Sequence, residues 1–137
     1  MNIKKTANLL LNFATKRLAE IFGIITFISG TMLLVALITY SPEDPNFIFP
    51  ENTEINNLLG FQGSYVSDLL FQSVGIIAYL ISFTLMITGI NIFRIKEFFL
   101  IIGNIFFATL YCIFGTLFLT FFYSKDFVLY INGNGGF

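Results

Sequence analysis

The sequence predicts an all-α integral membrane protein with three transmembrane helices, an amphipathic N-terminal segment, a cytoplasmic N-terminus and an external C-terminus. Composition is the first observation. Hydrophobic residues make up 56% of the 137 residues and charged residues 11%, against roughly 25% charged in a typical soluble domain. Because one core of this size cannot bury so much apolar surface, lipid must act as part of the solvent. The other two observations are long uncharged segments and a one-sided distribution of basic residues.

Three uncharged segments are long enough to cross a bilayer, since about 20 helical residues reach about 30 Å. They divide the chain into a cytoplasmic tail (1–20), a first span (21–40), an acidic periplasmic loop (41–68), a second span (69–93), a cytoplasmic loop (94–97), a third span (98–123) and a periplasmic tail (124–137).

Basic residues set the expected orientation. Of the seven Lys and Arg, four precede the first span and two lie in 94–97, whereas 41–68 has none and the C-terminal tail has only Lys125. The positive-inside rule assigns the basic side to the cytoplasm. We therefore expect the N-terminus inside and, after three crossings, the C-terminus outside.

The N-terminal region leaves two alternatives open. A cleaved signal peptide would explain the basic residues, but 20 apolar residues exceed its usual ~7–15-residue core and no A-x-A-like site follows. The tail is either an amphipathic helix on the inner leaflet or a plain extension of the first span. Its apolar stripe consists of Ile3, Ala7, Leu10, Ala14, Leu18 and Ile21.

The start of the loop predicts a helix end and a short turn. Pro42 cannot continue the first helix, which should end at about Tyr40. Ser41 can cap the turn, with Asp44 near the exposed amides. Glu43 and Asp44 are predicted to lie side by side in water. Acid–base chemistry needs two groups with different pKa values, and nothing in an aqueous turn would separate the pKa values of these two.

The far end of the loop predicts the start of the second span. Ser64 or Ser67 can cap that helix, and Asp68 in its first turn would meet the positive end of the helix dipole. Gly60 and Gly63 mark turns. The apolar residues Leu58, Leu59 and Phe61 are expected on the membrane surface or at the mouth of the bundle.

Small residues repeat every seven positions in all three spans, which favours close left-handed helix packing, within or between chains. The rows are Gly75, Ser82 and Gly89; Gly23 and Gly30; and Ala108 and Gly115. Asn104 is the strongly polar side chain well inside a span, and it should seek a partner on a neighbouring helix. We therefore expect a tight bundle that forms a homo-oligomer.

No catalytic or cofactor site is predicted. With no His and one Cys, the chain cannot form a His- or Cys-built metal site or an intrachain disulfide. Cys112 is interpreted as inert packing, and phosphate-loop, dinucleotide and zinc-protease motifs are missing. A net charge of −1 gives no basic field for nucleic acid. A transporter or channel subunit and a small inner-membrane scaffold stay as alternatives to the function below.

Residues 36–47, A-L-I-T-Y-S-P-E-D-P-N-F, resemble the end of the first span in the FtsK/SpoIIIE family of DNA translocases, which ends in A-L-x-[TS]-[YF]-x-P-x-D-P-x-[WF]. The resemblance covers about residues 30–137 and continues through Asn57-Leu58 and Ala78-Tyr79 to the basic Arg94. Its motif positions are Tyr40, Pro42, Asp44, Pro45, Gly60, Gly63, Asp68, Gly135 and Gly136.

This resemblance implies a membrane anchor in the bacterial inner membrane, placed at the division septum, in contact with divisome membrane proteins and serving cell division and chromosome partition. It implies no ATPase or DNA binding, because the motor and DNA-reading modules of the family are absent from these residues. Two departures stand out. Ser82 replaces a frequent Pro, and the chain stops at Phe137, where the fourth span of the family would begin. We therefore expect a fragment, a split gene or a shortened chain.

Overall fold

A computed structural model describes residues 3–45, 54–123 and 135–136. These residues contain four α-helices and one 3₁₀ turn: α1 (Ile3–Ile38), α2 (Gly60–Val74), the turn Gly75–Ile77, α3 (Ala78–Ile95) and α4 (Leu100–Phe122). The stretches Thr6–Ile38, Gly60–Ile95 and Leu100–Phe122 are long and apolar enough to cross a membrane. The predicted all-α fold with three such helices is confirmed. The expectations for 46–53, 124–134 and Phe137, including Lys125, lie outside the described residues.

The N-terminal tail and the first span form one unbroken helix. α1 contains 36 residues and is about 54 Å long, nearly twice the thickness of the hydrocarbon core. The tail therefore continues the helix of the first span, which is the second of the two alternatives given above. The helix ends at Ile38 rather than Tyr40, because the amide of Tyr40 donates to the carbonyl of Leu37 (3.4 Å) and tightens the last turn.

The predicted loop 41–68 and second span 69–93 are divided differently in the structure. α2 already begins at Gly60, and the helix breaks at Gly75, whose φ is +59°. Asp68 therefore lies in the interior of α2, so its predicted place in the opening turn is wrong. The prediction that Ser64 or Ser67 caps the helix is also wrong: the N-cap residue is Leu59, and both serine hydroxyls donate to carbonyls.

The backbones of α1 and α3 approach each other closely at their glycines. A Cβ atom added to Gly89 would lie 2.5 Å from the nitrogen of Phe27 and 2.7 Å from the carbonyl oxygen of Gly23. A Cβ atom on Gly30 would lie 2.8 Å from the nitrogen of Met86. Real side-chain carbons do not approach backbone atoms so closely, and the glycines therefore permit this packing.

α4 is attached to α3 mainly by polar side chains. The Nδ2 of Asn104 donates to the Oγ1 of Thr88 (2.7 Å), and the hydroxyls of Thr84 and Tyr111 are 2.8 Å apart. No residue of α4 is buried. The two hydrogen bonds join α4 to α3, and Gly115 of α4 also packs closely on Ile77, where an added Cβ atom would lie 2.8 Å from Cδ1.

One end of the bundle is joined by an ion triad. The carboxylate of Glu20 on α1 lies 2.6 Å from Arg17 and 2.6 Å from Lys96, the C-cap residue directly after α3. Lys96 has a left-handed backbone, with φ +62°. The triad ties the α3–α4 connection to α1 at the level where α3 ends.

The glycine contact predicts a difference between two Gly-to-Ala variants. Gly89→Ala should destabilise the bundle by about 1–3 kcal/mol, because the methyl group overpacks against the backbone of α1. Gly103→Ala is the matched control, since nothing lies within 4 Å of the added carbon, and alanine favours helix by about 0.5–1 kcal/mol. Denaturant titration of the purified chain in detergent measures both. Equal stability of the two variants would contradict this packing.

Candidate functional site

The residues that resemble the family motif of the first loop fold into a cap that joins the end of α1 to the start of α2. We define this α1–α2 cap as residues 39–45 and 56–68. Its centre is the carboxylate of Asp44, which is 3% exposed. One oxygen accepts the amide of Asn56 (2.8 Å) and the other accepts the amide of Asn57 (2.9 Å). Such bonds to a charged acceptor are among the stronger ones in proteins.

The two neighbouring carboxylates do not share an environment. Asp44 is buried, whereas Glu43 is exposed to solvent. The prediction that both lie in an aqueous turn is therefore wrong for Asp44. Its turn is closed by the amide of Asp44 donating to the carbonyl of Ser41 (3.2 Å), which directs the side chain inward, toward the second half of the cap.

Asn57 connects the cap to α1. Its Nδ2 donates to the carbonyls of Ala36 (2.9 Å) and Thr39 (3.3 Å), and its Oδ1 accepts the amide of Leu59 (3.0 Å). The last carbonyls of a helix have no partner within the helix. The side-chain amide group of Asn57 therefore donates to carbonyls at the end of α1 and accepts a hydrogen bond just before the start of α2.

Every backbone amide from residue 56 to residue 60 has an acceptor. Besides the bonds to Asp44 and the Asn57 side chain, the amide of Leu58 donates to the Oγ1 of Thr39 (3.2 Å) and that of Gly60 to the carbonyl of Asn57 (2.9 Å). A backbone amide that is withdrawn from water outside a helix needs such a partner. The side chains of Asp44, Thr39 and Asn57 provide three of these acceptor groups.

The two glycines of the motif have different roles. Gly60 starts α2 with φ +65°, a backbone conformation that favours glycine. Gly63 is helical, and a Cβ atom there would collide with the Oδ1 of Asn57. It therefore marks a close contact rather than the predicted turn. Ser64 completes this side of the cap by donating to the carbonyl of the buried Pro45 (3.0 Å).

Tyr40 and Asp68 attach the middle of α2 to the end of α1. The Tyr40 hydroxyl donates to one oxygen of Asp68 (3.0 Å), and Gln72 donates to the other (2.8 Å). Burial, together with the neighbouring carboxylates, raises the pKa of the Tyr40 phenol above its usual range, and the hydroxyl therefore remains a donor. The Tyr40 ring also packs on Phe71, with ring centroids 4.8 Å apart. Pro42 is exposed on the outside of the turn.

A small apolar core lies directly beneath the cap. Leu37, Phe71 and Ala78 are buried against one another. The hydroxyl of Tyr79 donates to the carbonyl of Leu37 (3.2 Å), and its ring meets Phe71 with centroids 5.7 Å apart. The start of α3 is thereby attached to the same end of α1 as the cap.

The three small residues predicted to form a row in the second span are all buried. Gly75 lies in the helix break, whereas the buried Ser82 donates to the carbonyl of Tyr79 (2.7 Å). Gly89 contacts the backbone of α1, and Asn104 contacts Thr88 from α4. Gly89 and Asn104 therefore each contact a neighbouring helix.

Gly135 and Gly136 lie against the ends of α2 and α4. A Cβ atom on Gly136 would be 2.7 Å from the carbonyl oxygen of Gln72, and its φ is +78°. A Cβ atom on Gly135 would collide with the Oγ1 of Thr120. The last glycines of the motif thus pack closely beside the helix break.

Sequence reasoning missed the part that Asn57, Thr39 and Ser64 play in the cap. Asn57 entered only as part of the resemblance, and the bonds of Thr39 depend on contacts 19 residues apart in the chain. The one signal in the sequence that could have indicated a hydrogen-bonded cap is the number of polar residues between Tyr40 and Asp68 in an otherwise apolar chain. Among the described residues, no group of three His, Cys, Asp or Glu side chains could hold a metal ion.

The three apolar helices and the polar cap define a multi-pass helical membrane protein. Residues 15–137 match the family described as the 4TM region of DNA translocase FtsK/SpoIIIE. The chain belongs to this family and is a multi-pass protein of the inner membrane.

Individual relatives agree with the family match. The chain is 35% identical over 78 residues to DNA translocase FtsK of Rickettsia bellii. The aligned segment covers 57% of this chain and 10% of that protein. It is 37% identical over 69 residues to the Caulobacter vibrioides protein of the same name, with 50% and 8% covered. The chain thus spans about a tenth of the length of these relatives. No solved structure matches it.

The cap predicts unequal effects for two adjacent asparagines. Asn57→Ala should destabilise the chain by about 2–4 kcal/mol, because it leaves buried backbone groups without partners. Asn56→Ala keeps the backbone amide that Asp44 accepts and removes only an exposed side chain, so its effect should stay within about 0.5 kcal/mol. Thermal unfolding in detergent compares the variants. A similar loss in both, or in neither, would contradict the role of Asn57.

Proposed function

We propose that this chain is the membrane anchor of an FtsK-like DNA translocase, that it holds the translocase at the division septum and that it contacts divisome membrane proteins there. The family match over residues 15–137 carries this proposal. The work of such an anchor is positional and supports cell division and chromosome partition.

The geometry of the motif supports an anchoring role rather than a chemical one. The polar motif residues Asp44, Tyr40 and Asp68 are engaged with backbone amides or with one another. Their hydrogen-bonding capacity is used to join α1, α2 and the start of α3. We infer that the chain is not itself an enzyme and does not bind nucleic acid directly, and that ATP-driven DNA movement belongs to the motor part of such translocases.

The exposed part of the cap is the surface that we propose for divisome contacts. Leu58 is 75% exposed, and Phe61 is also exposed, with its ring stacked against Tyr65. Large apolar side chains at a rim of polar groups are typical of protein interaction sites. With the N-terminus inside, this cap faces the periplasm, where the outer parts of membrane division proteins are accessible.

The position of basic residues supports this orientation. Arg17 and Lys96 meet at Glu20, at the end of the bundle away from the cap. Lys16 and Arg94 are close in sequence to the same triad. A cytoplasmic location for this end follows from the positive-inside rule.

One fusion tests both the septal placement and the orientation. A fluorescent protein that matures only in the cytoplasm is attached to the N-terminus and expressed in dividing cells. The fluorescence should appear and should concentrate in a mid-cell band during constriction. The same tag on an unrelated three-span inner-membrane protein is the control and should outline the whole cell. A dark fusion would contradict the orientation, and an even outline at all stages would contradict septal placement.

A further inference from the structure

An apolar groove of about 270 Å³ opens beside the contact between α1 and α3. Because its glycines have no side chains, the two helices meet there at the backbone, and larger apolar residues flank the contact. The lining residues are Gly23, Ile24 and Phe27 of α1 and Gly89, Ile90 and Phe93 of α3. Ile24 is 48% exposed and Ile90 is 44% exposed, so the described part of the chain leaves this side open. We call it the α1–α3 groove.

One face of α1 leads from the groove to the ion triad. The residues on this face follow one another at steps of three, four and three positions, and they are Phe27, Ile24, Glu20 and Arg17. Residues at such steps lie above one another on a helix. Glu20 also bonds to Lys96, directly after α3. Both helices that form the groove therefore carry a basic group at the same end of it.

The charged end of the groove is basic overall. Its four basic and two acidic residues give a net charge of +2, and they are Lys16, Arg17, Arg94, Lys96, Glu20 and Glu97. Arg94 comes four residues after Ile90 and therefore lies one turn beyond the groove on the same side of α3. The side chain of Arg17 is 59% exposed and that of Lys96 is 38% exposed. A further anion can reach both groups while Glu20 is bound.

The apolar and basic parts are spaced like the two parts of a phospholipid. The hydrocarbon core is about 30 Å thick and the whole bilayer about 40–45 Å, so each headgroup layer measures about 5–8 Å. Arg17 lies about 10 Å from Ile24 along α1. A lipid whose phosphate is level with Arg17 therefore has the first part of its acyl chain level with Ile24.

We propose that the α1–α3 groove binds an anionic phospholipid. One acyl chain packs against Ile24, Ile90 and Phe93, and the phosphate lies against Arg17 and Arg94. The net positive charge at the headgroup level favours an anionic lipid. A helix is about 10–12 Å wide with its side chains and would lie across a groove of about 270 Å³ rather than enter it. Binding is independent of septal placement, and only its assignment to the cytoplasmic leaflet rests on the proposed orientation.

The chain contains no Trp, so a single introduced Trp reports its own lipid contacts. Phe93→Trp places the reporter in the groove, and Ile90→Trp repeats the measurement at a second groove position. The matched control is Ile25→Trp, an exposed residue at the depth of Ile24 that does not line the groove. In phosphatidylcholine liposomes, brominated phosphatidylglycerol should quench the groove reporters at about fivefold lower mole fraction than brominated phosphatidylcholine. The control should be quenched equally by both lipids.

Substitutions at the headgroup level test the basic half of the site. In the Phe93→Trp chain, Arg17→Gln or Arg94→Gln should reduce the preference to about twofold or less, and Arg94→Gln leaves the ion triad in place. Lys4→Gln, about 20 Å from Arg17 along α1, removes the same charge and should keep the full preference.

Three results would overturn the proposal. Equal quenching of the groove reporters by both lipids would show that the groove holds unselected lipid. The same preference at Ile25→Trp as in the groove, or an unchanged preference in both arginine variants, would show a general attraction without a site. Groove reporters that neither lipid quenches would show that another helix covers the groove.

Discussion

The rest of the described structure depends on the backbone contact between α1 and α3. Gly23 and Gly89 meet without intervening side chains, so the two helices approach more closely than larger residues would allow. Their antiparallel register then determines what meets at each end. Glu20 reaches Lys96 at one end, whereas Leu37 reaches Ala78 and Tyr79 at the other. Glycine is unfavourable in a helix interior by about 0.5–1 kcal/mol, a cost that is offset here by packing along the whole interface.

The α1–α2 cap solves a problem that the helix pair creates. The end of α1 leaves carbonyls without helical partners, and the chain must still turn and begin α2 beside it. Asn57 donates to those carbonyls, Asp44 accepts the amides of the returning segment, and Tyr40 attaches α2 through Asp68. The motif that identifies the family is therefore, in physical terms, a set of hydrogen bonds that closes a helix end. These bonds attach the surface of the cap to the ends of α1 and α2.

The sequence predicted the elements that depend on local composition. The apolar runs indicated three membrane helices, Pro42 indicated the end of α1 to within two residues, and Asn104 suggested a contact between helices without naming its partner. The first part of α2, residues 60–68, was missed because Gln62, Ser64, Ser67 and Asp68 make it too polar for a hydropathy criterion. Ser64 and Asp68 have their partners, Pro45 and Tyr40, in the segment that follows α1, which no local pattern encodes. The burial of Asp44 was missed for the same reason, since its partners lie 12 and 13 residues away.

The central claim is that the cap is a folded, closed structure and that its polar residues satisfy the backbone around them. Hydrogen exchange of the amides from residue 56 to residue 60 tests this claim most directly, because each of the five has an assigned acceptor. In the full chain in lipid nanodiscs, all five should exchange about 100-fold or more slowly than in an unstructured peptide, as protected amides do. Exchange of these five amides at the unstructured rate, with α1 and α3 still protected, would contradict the account.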